Sequence, residues 1–353
     1  MAARVPAGAV VRHLHFGGGS PDSLEPVEID AIFEALKSSF RFAPDAEIAA
    51  EMDPRGATAA VVDAFARGGL PTALASACET STSTSSAGST GYSPPRSSKR
   101  PSTCLRQAGV ASLNLDIMYG LPGQNEAHAA KTAAFAASLG ADRIAAFGYA
   151  HVPWFKKHQN AIKTADLAQG EERFRQAERV ARTLIDAGYS PVGFDHFARP
   201  GDSLAVAARS GTLRRNFQGY TTDVADALIG LGPSAISSLP DLHYQNAPST
   251  ADYRTTVGDG ALPVVRGAML REEDRQIAGL IENLLCRFEA ELQDALDGAT
   301  VARLERLQAA GLATVGNGRV RITPMGRTYA RNVAASFDPG FYATTAARHS
   351  VAV

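Results

Sequence analysis

Short apolar segments, each followed by a turn and then a helical pattern, recur through the first half of the chain. The apolar runs predict strands at residues 11–16, 47–52, 111–118 and 143–149. Apolar residues at helical spacing predict helices between them at 29–40, 57–67 and 127–139. This alternation is typical of β–α units around a parallel sheet, in a barrel or a doubly wound arrangement. In both arrangements ligands bind at the carboxyl ends of the strands.

The second half of the chain has a different pattern. A long helix is predicted at 171–187, followed by an irregular stretch at 193–245 that is rich in glycine, asparagine and aromatic residues, as binding surfaces often are. Helices return from residue 271, and a helix at 301–310 followed by strands at 312–315 and 320–322 resembles a winged-helix unit. We therefore expect a barrel domain at 1–200, an irregular region covering substrate and cofactor at 201–265, and a helical C-terminal domain at 266–353.

One segment interrupts the first domain. Between about residues 71 and 104 the periodicity stops, residues 80–90 are almost entirely serine, threonine and glycine, and three prolines follow. Such a composition cannot bury enough apolar surface to order itself. The sequence predicts a disordered insertion here.

Composition and charge exclude several classes of protein. The net charge is −1 with no basic stripe, which argues against a nucleic-acid partner. No apolar run approaches the roughly 20 residues of a membrane helix, and no leader pattern is present, so we expect a cytoplasmic protein. The three cysteines, Cys78, Cys104 and Cys286, lie far apart and are expected to be reduced and unpaired.

Candidate chemistry clusters after the predicted strands. Gly17, Gly18 and Gly19 follow the first strand and leave backbone amides accessible to a charged ligand, although a tight turn would have the same sequence. Glu51 and Asp116 lie at or near strand ends within apolar runs, where a carboxylate needs a partner. Asp116 and Asp53 also fit a simpler interpretation as structural caps.

Other polar and aromatic residues are weaker candidates. We expect His151 and His196 to be hydrogen-bonded structural residues, because a lone histidine usually is. Phe147, Trp154 and Phe155 are expected to pack inside the barrel. The non-periodic mixture around Phe217 and Gln218 fits a pocket wall.

Seven segments in order resemble one enzyme family. They are LHFGGGSP (14–21), EIAAEMDPRG (47–56), NLDIMYGLPGQ (114–124), FGYAHVP (147–153), GFDHFARP (193–200), RNFQGYTT (215–222) and LGPSAIS (231–237). The family is that of the oxygen-independent coproporphyrinogen III oxidases, and the resemblance covers nearly the whole chain except its extreme N-terminus and residues 71–104.

The resemblance implies a partial six-unit (β/α) radical S-adenosylmethionine barrel with a smaller winged-helix-like C-terminal domain. A 4Fe–4S cluster held by a CxxxCxxC loop and S-adenosylmethionine would generate a 5′-deoxyadenosyl radical. That radical would start the oxidative decarboxylation of coproporphyrinogen III to protoporphyrinogen IX in haem synthesis, so the cofactor supplies the difficult chemistry. An electron donor to the cluster and a monomeric enzyme are also implied.

By matched position, the resemblance assigns seven residues to the S-adenosylmethionine site: Gly18, Gly19, Ser20, Glu51, Asp116, Ala150 and Ile236. Glu51 and Asp116 would contact its ribose or methionyl groups, and Ala150 and Ile236 would contribute backbone or apolar surface. Phe217 and Gln218 would lie near a second S-adenosylmethionine molecule. No catalytic residue and no metal ligand is assigned on this chain.

The chain departs from the family pattern at two places. No cysteine precedes Gly17, so the thiolates that bind the cluster are missing, and the first β/α unit is expected to be missing with them, which leaves one sheet edge uncovered. Within 71–104 the family has a strand ending in Gly-Val-Gln and a later arginine, and Cys78 stands at the glutamine position. The chain thus looks N-terminally truncated and shifted in frame between about Pro71 and Cys104.

Three other interpretations remain. A haem-chaperone relative would keep the barrel and cluster without decarboxylating. A cluster-free protein that binds porphyrin or S-adenosylmethionine would account for the missing cysteines. A DNA-binding regulator would account for the winged-helix pattern, but no adjacent helix is basic enough to hold phosphates.

The reading-frame hypothesis is tested by resequencing the gene from upstream of Met1 through the codon for Gly109. If Ser76, Ala77 and Cys78 are encoded by TCG GCG TGC, reading one base earlier produces the missing Gly-Val pair. We expect a CxxxCxxC loop and a Gly-Val-Gln strand in one continuous frame. Verified codons that cannot be shifted into a glutamine-containing strand would reject the frameshift.

Overall fold

The structure is a computed structural model. It describes residues 5–6, 8–53, 58–69, 72–78, 105–292 and 296–342, with the backbone alone for 72–78. No helix within these ranges is long and apolar enough to cross a membrane.

A seven-stranded sheet forms the N-terminal part. Its strands in chain order are β1 Val10–Phe16, β2 Arg41–Met52, β3 Thr72–Cys78, β4 Ser112–Tyr119, β5 Arg143–Gly148, β6 Ser190–Val192 and β7 His196–Ala198. The order across the sheet is β1-β2-β3-β4-β5-β7-β6, with β1 to β5 parallel and β6 and β7 antiparallel to their neighbours. Among the described residues β1 is an edge strand, as the sequence predicted.

Four helices cover one face of this sheet: α1 Pro26–Ser39, α2 Ala59–Gly68, α3 Glu126–Ser138 and α4 Gly170–Asp186. Alternate residues of the strands point to this face, because successive side chains of a strand project to opposite sides. On β4 these are Leu113, Leu115, Ile117 and Tyr119, all buried in the largest core cluster. The rings of Phe16, Phe33 and Phe65 meet there at 5.1 to 6.2 Å between centroids, where each pair adds about 0.5–1.5 kcal/mol beyond its buried area.

The predicted β–α units of the first half are confirmed to within a few residues, with one difference at β2. That strand begins at Arg41 rather than Glu47, and its pairing with β1 shifts register between Val11 and His13, which pair with Phe42 and Glu47. The intervening residues include Pro44, which a strand accommodates at an irregularity. Because Pro44 interrupts the strand pattern, the sequence predicted only the second half of β2.

The expectation of disorder across 71–104 is wrong for Thr72–Cys78. These residues form β3, which lies in the middle of the sheet and pairs in parallel with β2 and β4. The strand forms because β2 and β4 both offer it backbone hydrogen-bond partners. These backbone hydrogen bonds stabilise the strand although its side chains show no strand pattern. The remainder of the segment, including Cys104, lies outside the described residues.

The region from 193 to 245 is also more regular than predicted. It contains β7, the helix α5 Ser203–Ser210, the hairpin of β8 Arg214–Asn216 and β9 Gly219–Thr221, and the strand β10 Ile236–Leu239. The antiparallel sheet β10-β11-β12 continues with β11 Leu242–Asn246 and β12 Val264–Met269, which flank the helix α6 Thr250–Gly258. Three-residue strands are too short to show a period, which is why the sequence did not reveal them.

Two of the aromatic residues predicted to pack inside the barrel do not. Trp154 is 56% exposed and Phe155 is 74% exposed, in the segment that follows β5. Phe147 is partly buried and contacts the ring of His196 edge-on at 5.8 Å. The packing prediction is therefore wrong for Trp154 and Phe155.

The C-terminal part has its own core. Helix α7 Glu272–Arg287 and helix α8 Gly298–Ala309 pack with a three-stranded sheet. Its strands are β13 Glu289–Glu291, β14 Ala313–Gly316 and β15 Arg319–Ile322, and their order across the sheet is β13-β15-β14. Short helices α9 Ala330–Ala335 and α10 Pro339–Tyr342 follow. The predicted hairpin is confirmed, and Asn317 and Gly318 at its turn have φ of 52° and 69°, as a type I′ turn requires. The proposed domain boundaries remain predictions.

The contact between α1 and α2 generates a stability prediction. A Cβ on Gly68 would overlap the ring of Phe33, so Gly68→Ala should cost about 1–3 kcal/mol of unfolding free energy. Gly279→Ala is the matched control, because it lies inside α7 with nothing within 4 Å of the added Cβ, and it should gain about 0.5–1 kcal/mol. Urea unfolding of both variants tests this, and equal effects at the two positions would contradict it.

Candidate functional site

The sheet face opposite the helices is largely polar. By alternation and strand register it consists of His13, His15, Glu47, Ala49, Glu51, Ser112, Asn114, Asp116, Met118, Arg143, Ala145, Phe147, His196 and Ala198. We call it the polar face. Parallel sheets are usually covered and apolar on both faces, so polar side chains in these positions indicate a ligand site rather than a second core.

Glu51 and the first glycine loop form one end of the site. Glu51 Oε1 lies 3.1 Å from His15 Nε2, and Glu51 Oε2 lies 3.4 Å from the amide nitrogen of Gly18. The hydrogen bond with His15 is the main cause that lowers the pKa of Glu51, so the carboxylate is ionised at neutral pH. A Cβ on Gly17 would lie 2.8 Å from both Glu51 Oε1 and His15 Nε2, so any larger residue would displace this pair.

Gly18, Gly19 and Ser20 form an exposed loop at the carboxyl end of β1. Gly18 has a φ of 80°, in the left-handed region that favours glycine. Ser20 precedes a 3-10 helix at Pro21–Ser23 without making a side-chain capping bond. Asp22 in this helix is buried and its Oδ1 accepts a hydrogen bond of 3.3 Å from the Asp53 amide, which ties the loop to the end of β2.

Asp116 lies inside β4 on the polar face, so its interpretation as a structural cap is wrong. Burial raises the pKa of its carboxyl to about 6, and the nearby charge of Glu51 contributes to the rise, while His196 acts in the opposite direction. Asn114 Nδ2 donates a hydrogen bond of 3.3 Å to Asp116 Oδ1. The buried oxygens Ser112 Oγ and Asn114 Oδ1 have no hydrogen-bond partner among the described residues.

Ala150 and Ile236 occupy different parts of the molecule. Ala150 is exposed beyond the end of β5, and its carbonyl accepts a hydrogen bond of 3.1 Å from Gln159 Nε2. The structure therefore brings Gly18, Glu51 and Ala150 to the carboxyl edge of one sheet. Ile236 is 37% exposed at the start of β10, and no contact described here joins it to the other site residues.

Phe217 and Gln218 form the turn of the β8–β9 hairpin. Phe217 is 56% exposed, and the Gln218 amide donates a hydrogen bond of 2.9 Å to Asn216 Oδ1. The hairpin is adjacent to the polar face, since a Cβ on Gly219 would lie 3.7 Å from His196 Nε2.

Asp195 and His196 form a pair at the polar face, and the expectation that His196 is hydrogen-bonded is confirmed. His196 Nδ1 lies 2.6 Å from Asp195 Oδ1, and Arg331 Nη2 lies 3.3 Å from Asp195 Oδ2. Burial by itself would raise the pKa of Asp195, but the hydrogen bond with His196 and the charges of Arg215 and Arg331 hold it below its ordinary value. Adjacent Asp and His in GFDHFARP were a signal, but a lone histidine could not be placed on the polar face without knowing how β7 pairs.

The described residues provide no site for an iron–sulfur cluster. No group of three or more histidine, cysteine, aspartate or glutamate side chains in the described ranges is arranged to hold a metal ion. Cys286 is free, as predicted, but burial raises the pKa of its thiol to about 12, so it stays protonated. Cluster binding requires thiolates, so the side chains described do not fit this cofactor.

The chain is similar to known proteins over most of its length. No family model matches it. It is 39% identical over 348 residues to an oxygen-independent coproporphyrinogen III oxidase of Bradyrhizobium diazoefficiens, covering 93% of this chain and 75% of the relative. A protein with the same description from Cereibacter sphaeroides is 38% identical over 358 residues, covering 99% of this chain and 78% of the relative.

A solved structure gives the same result. The coproporphyrinogen III oxidase of Escherichia coli, described as a radical SAM enzyme, matches with a TM-score of 0.88 at 32% identity. The match covers 95% of this chain and 79% of that chain. The radical S-adenosylmethionine fold predicted from the motifs is thereby confirmed.

The raised pKa of Asp116 predicts a pH-dependent stability. Its pKa is about 6 in the folded chain against 3.8 ordinarily, so the folded state binds more protons between these values and the unfolding free energy falls as pH rises through this window. Asp116→Asn should therefore stabilise the ligand-free protein by up to about 3 kcal/mol at pH 8 and by little below about pH 4.

Urea unfolding across this pH range measures the effect. Asp195→Asn is the contrasting variant, because the pKa of Asp195 is lowered and its loss should destabilise the protein at neutral pH. A gain for Asp116→Asn that is the same at every pH would contradict the prediction.

Proposed function

This chain belongs to the family of oxygen-independent coproporphyrinogen III oxidases, and we propose that it binds S-adenosylmethionine along the polar face and acts on coproporphyrinogen III. By family it is an oxidoreductase of haem biosynthesis whose cofactors are S-adenosylmethionine and a 4Fe–4S cluster. The reaction proposed is the oxidative decarboxylation of coproporphyrinogen III to protoporphyrinogen IX.

The polar face at the carboxyl edge of the sheet is the observation that carries the S-adenosylmethionine site. S-adenosylmethionine presents ribose hydroxyls and an ammonium group as donors, a sulfonium charge, and a carboxylate acceptor. Glu51 is held ionised by His15 and offers acceptors to the donors. The amide of Gly19 in the adjacent loop suits the carboxylate. Unpaired buried oxygens on Ser112 and Asn114 add acceptors on the same face.

The remaining residues complete the proposed assignment. Ser20 extends the loop with a hydroxyl, and Asp116 supplies a second carboxylate. Ala150 follows β5 at the same edge and contributes backbone. Ile236, Phe217 and Gln218 belong to β10 and the β8–β9 hairpin, and we assign them to surfaces that close over the bound ligands.

The chain's own groups bind and orient, and the cofactors supply the redox chemistry. In the family, the reduced cluster and S-adenosylmethionine together provide the radical that attacks a propionate side chain. The 353 residues contain three cysteines and no CxxxCxxC motif. We therefore assign no step of the reaction to a cluster held by these residues. An electron donor for the cluster, a monomeric state and a cytoplasmic location complete the proposal, and the absence of a basic stripe in the sequence argues against a nucleic-acid partner.

The absence of the cysteine motif favours a second candidate. A protein with these residues alone would bind S-adenosylmethionine or a porphyrin without turning it over. This candidate keeps the polar face and its carboxylates, so it shares the ligand site with the enzyme. Iron content and product formation distinguish the two.

Calorimetric titration of the 353-residue protein with S-adenosylmethionine tests the site. Glu51→Gln removes a charged acceptor and should raise the Kd by roughly 10- to 100-fold, the equivalent of about 1.5–3 kcal/mol. Glu34→Gln on the exposed side of α1 is the matched control and should bind like the wild type. A wild-type protein that does not bind S-adenosylmethionine would reject the proposal.

The same preparation separates the two candidates. Because these 353 residues lack the cluster thiolates, the binding candidate predicts no four-iron cluster after anaerobic reconstitution with iron and sulfide and no protoporphyrinogen IX from coproporphyrinogen III, whereas the enzyme candidate predicts both. A four-iron content with product formation would establish the enzyme on this chain and reject the binding protein.

A further inference from the structure

His196 and Asp116 occupy one row of the polar face. Asp116 on β4 pairs with Ala145 on β5, and Ala145 pairs with His196 on β7. Residues paired in this way point to the same side of the sheet, and three adjacent strands place the outer two backbones roughly 10 Å apart. The small side chain of Ala145 between them leaves room for the carboxylate and the imidazole to converge. Their proximity shows in the influence of His196 on the pKa of Asp116.

The imidazole ring is held in one orientation. Its Nδ1 lies 2.6 Å from Asp195 Oδ1. The rings of Phe147 and Tyr220 contact it edge-on at centroid distances of 5.8 and 5.1 Å. Tyr220 is itself fixed, because its hydroxyl donates a hydrogen bond of 2.8 Å to the carbonyl of Leu285. This environment predetermines the direction of the second ring nitrogen.

The second ring nitrogen has no protein partner. No hydrogen bond to His196 Nε2 occurs among the described residues, although the side chain is only 12% exposed. Gly219 in the β8–β9 hairpin lies beside it, since a Cβ there would be in van der Waals contact with Nε2 at 3.7 Å. A histidine with a purely structural role normally satisfies both nitrogens when it is this buried. The arrangement at His196 pairs one nitrogen with Asp195 and leaves the other without a partner among the described residues, on a side chain that shares the polar face with Asp116.

Asp195 determines whether His196 Nε2 accepts or donates a hydrogen bond. The carboxylate of Asp195 is ionised and accepts a hydrogen bond from Nδ1, so in the neutral imidazole Nε2 carries the lone pair. Asp116 likewise offers carboxylate oxygens when it is ionised. Two acceptors in one row of the polar face suit a ligand group with several hydrogen-bond donors, such as a ribose diol or a primary ammonium.

We propose that His196 Nε2 accepts a hydrogen bond from the S-adenosylmethionine molecule that Asp116 binds, and that Asp195 is the positioning residue that fixes the required tautomer. The inference rests on the proposed function and extends it. The group of S-adenosylmethionine that donates this hydrogen bond is either a ribose hydroxyl or the methionyl ammonium, since both are hydrogen-bond donors.

His196→Phe tests the contact, because phenylalanine keeps the ring between Phe147 and Tyr220 and removes both nitrogens. The Kd for S-adenosylmethionine should rise about tenfold, the effect of one lost hydrogen bond with an unpaired ligand donor. 5′-Methylthioadenosine, which has the ribose but no ammonium, identifies the source. A loss that persists with this ligand assigns the ribose, and a loss confined to S-adenosylmethionine assigns the ammonium.

Two further variants and a second ligand exclude a general structural effect. Asp195→Asn should weaken S-adenosylmethionine binding similarly, because an amide can donate to Nδ1 and so favour the tautomer with a proton on Nε2. His243→Phe on exposed β11 is the matched control and should bind like the wild type. Binding of coproporphyrin III, followed by its fluorescence, should be unchanged in His196→Phe.

The outcomes separate this inference from the proposed function. If the wild type binds S-adenosylmethionine and Asp116→Asn weakens it while His196→Phe does not, the role of His196 is rejected and the proposed function stands. Equal weakening of coproporphyrin III and S-adenosylmethionine by His196→Phe would also reject it, as a folding effect. A wild type that binds no S-adenosylmethionine overturns both.

Discussion

Burial of one face of the seven-stranded sheet against α1 to α4 is the interaction on which the rest of the structure depends. Apolar side chains from alternate positions of β1, β2, β4 and β5 pack there with the helices into the largest core cluster. At roughly 1.5–3 kcal/mol for each large apolar side chain, this one layer dominates the stabilisation of the N-terminal part. Because it does so, the opposite face is free to carry polar residues that contribute little to folding.

The polar face accordingly carries ionisable groups that do not stabilise the fold as the apolar face does. Glu51 with His15 lies towards one end of the face and His196 with Asp195 towards the other, and Asp116 lies between them with a raised pKa. A carboxyl group in such surroundings destabilises the folded chain when it ionises, and it is retained where a ligand compensates for it. The charges of these residues are coupled, so replacement of one changes the protonation of its neighbours.

The sheet is continuous although the cysteine motif is missing. Thr72–Cys78 completes the sheet between β2 and β4, so the backbone at the carboxyl edge is continuous even where the sequence departs from the family. Sheet continuity depends on backbone hydrogen bonds and tolerates changed side chains, whereas cluster binding depends on three particular thiolates. The fold therefore persists in a chain whose residues do not fit the cluster, and the polar face proposed to bind S-adenosylmethionine persists with it.

The sequence by itself determined the β–α order, the hairpin at Asn317 and Gly318, and the glycine loop after the first strand, because these follow from local periodicity and turn chemistry. It could not determine that Thr72–Cys78 is a strand or that Trp154 is exposed, since both depend on which surfaces the rest of the chain supplies. Nor could it place His196 in a row with Asp116. That row exists because β7 turns back from β6 and pairs antiparallel with β5, a long-range choice that three residues with no period do not encode. Only the tertiary structure brings an aspartate and a histidine 80 residues apart in sequence onto one face of one sheet.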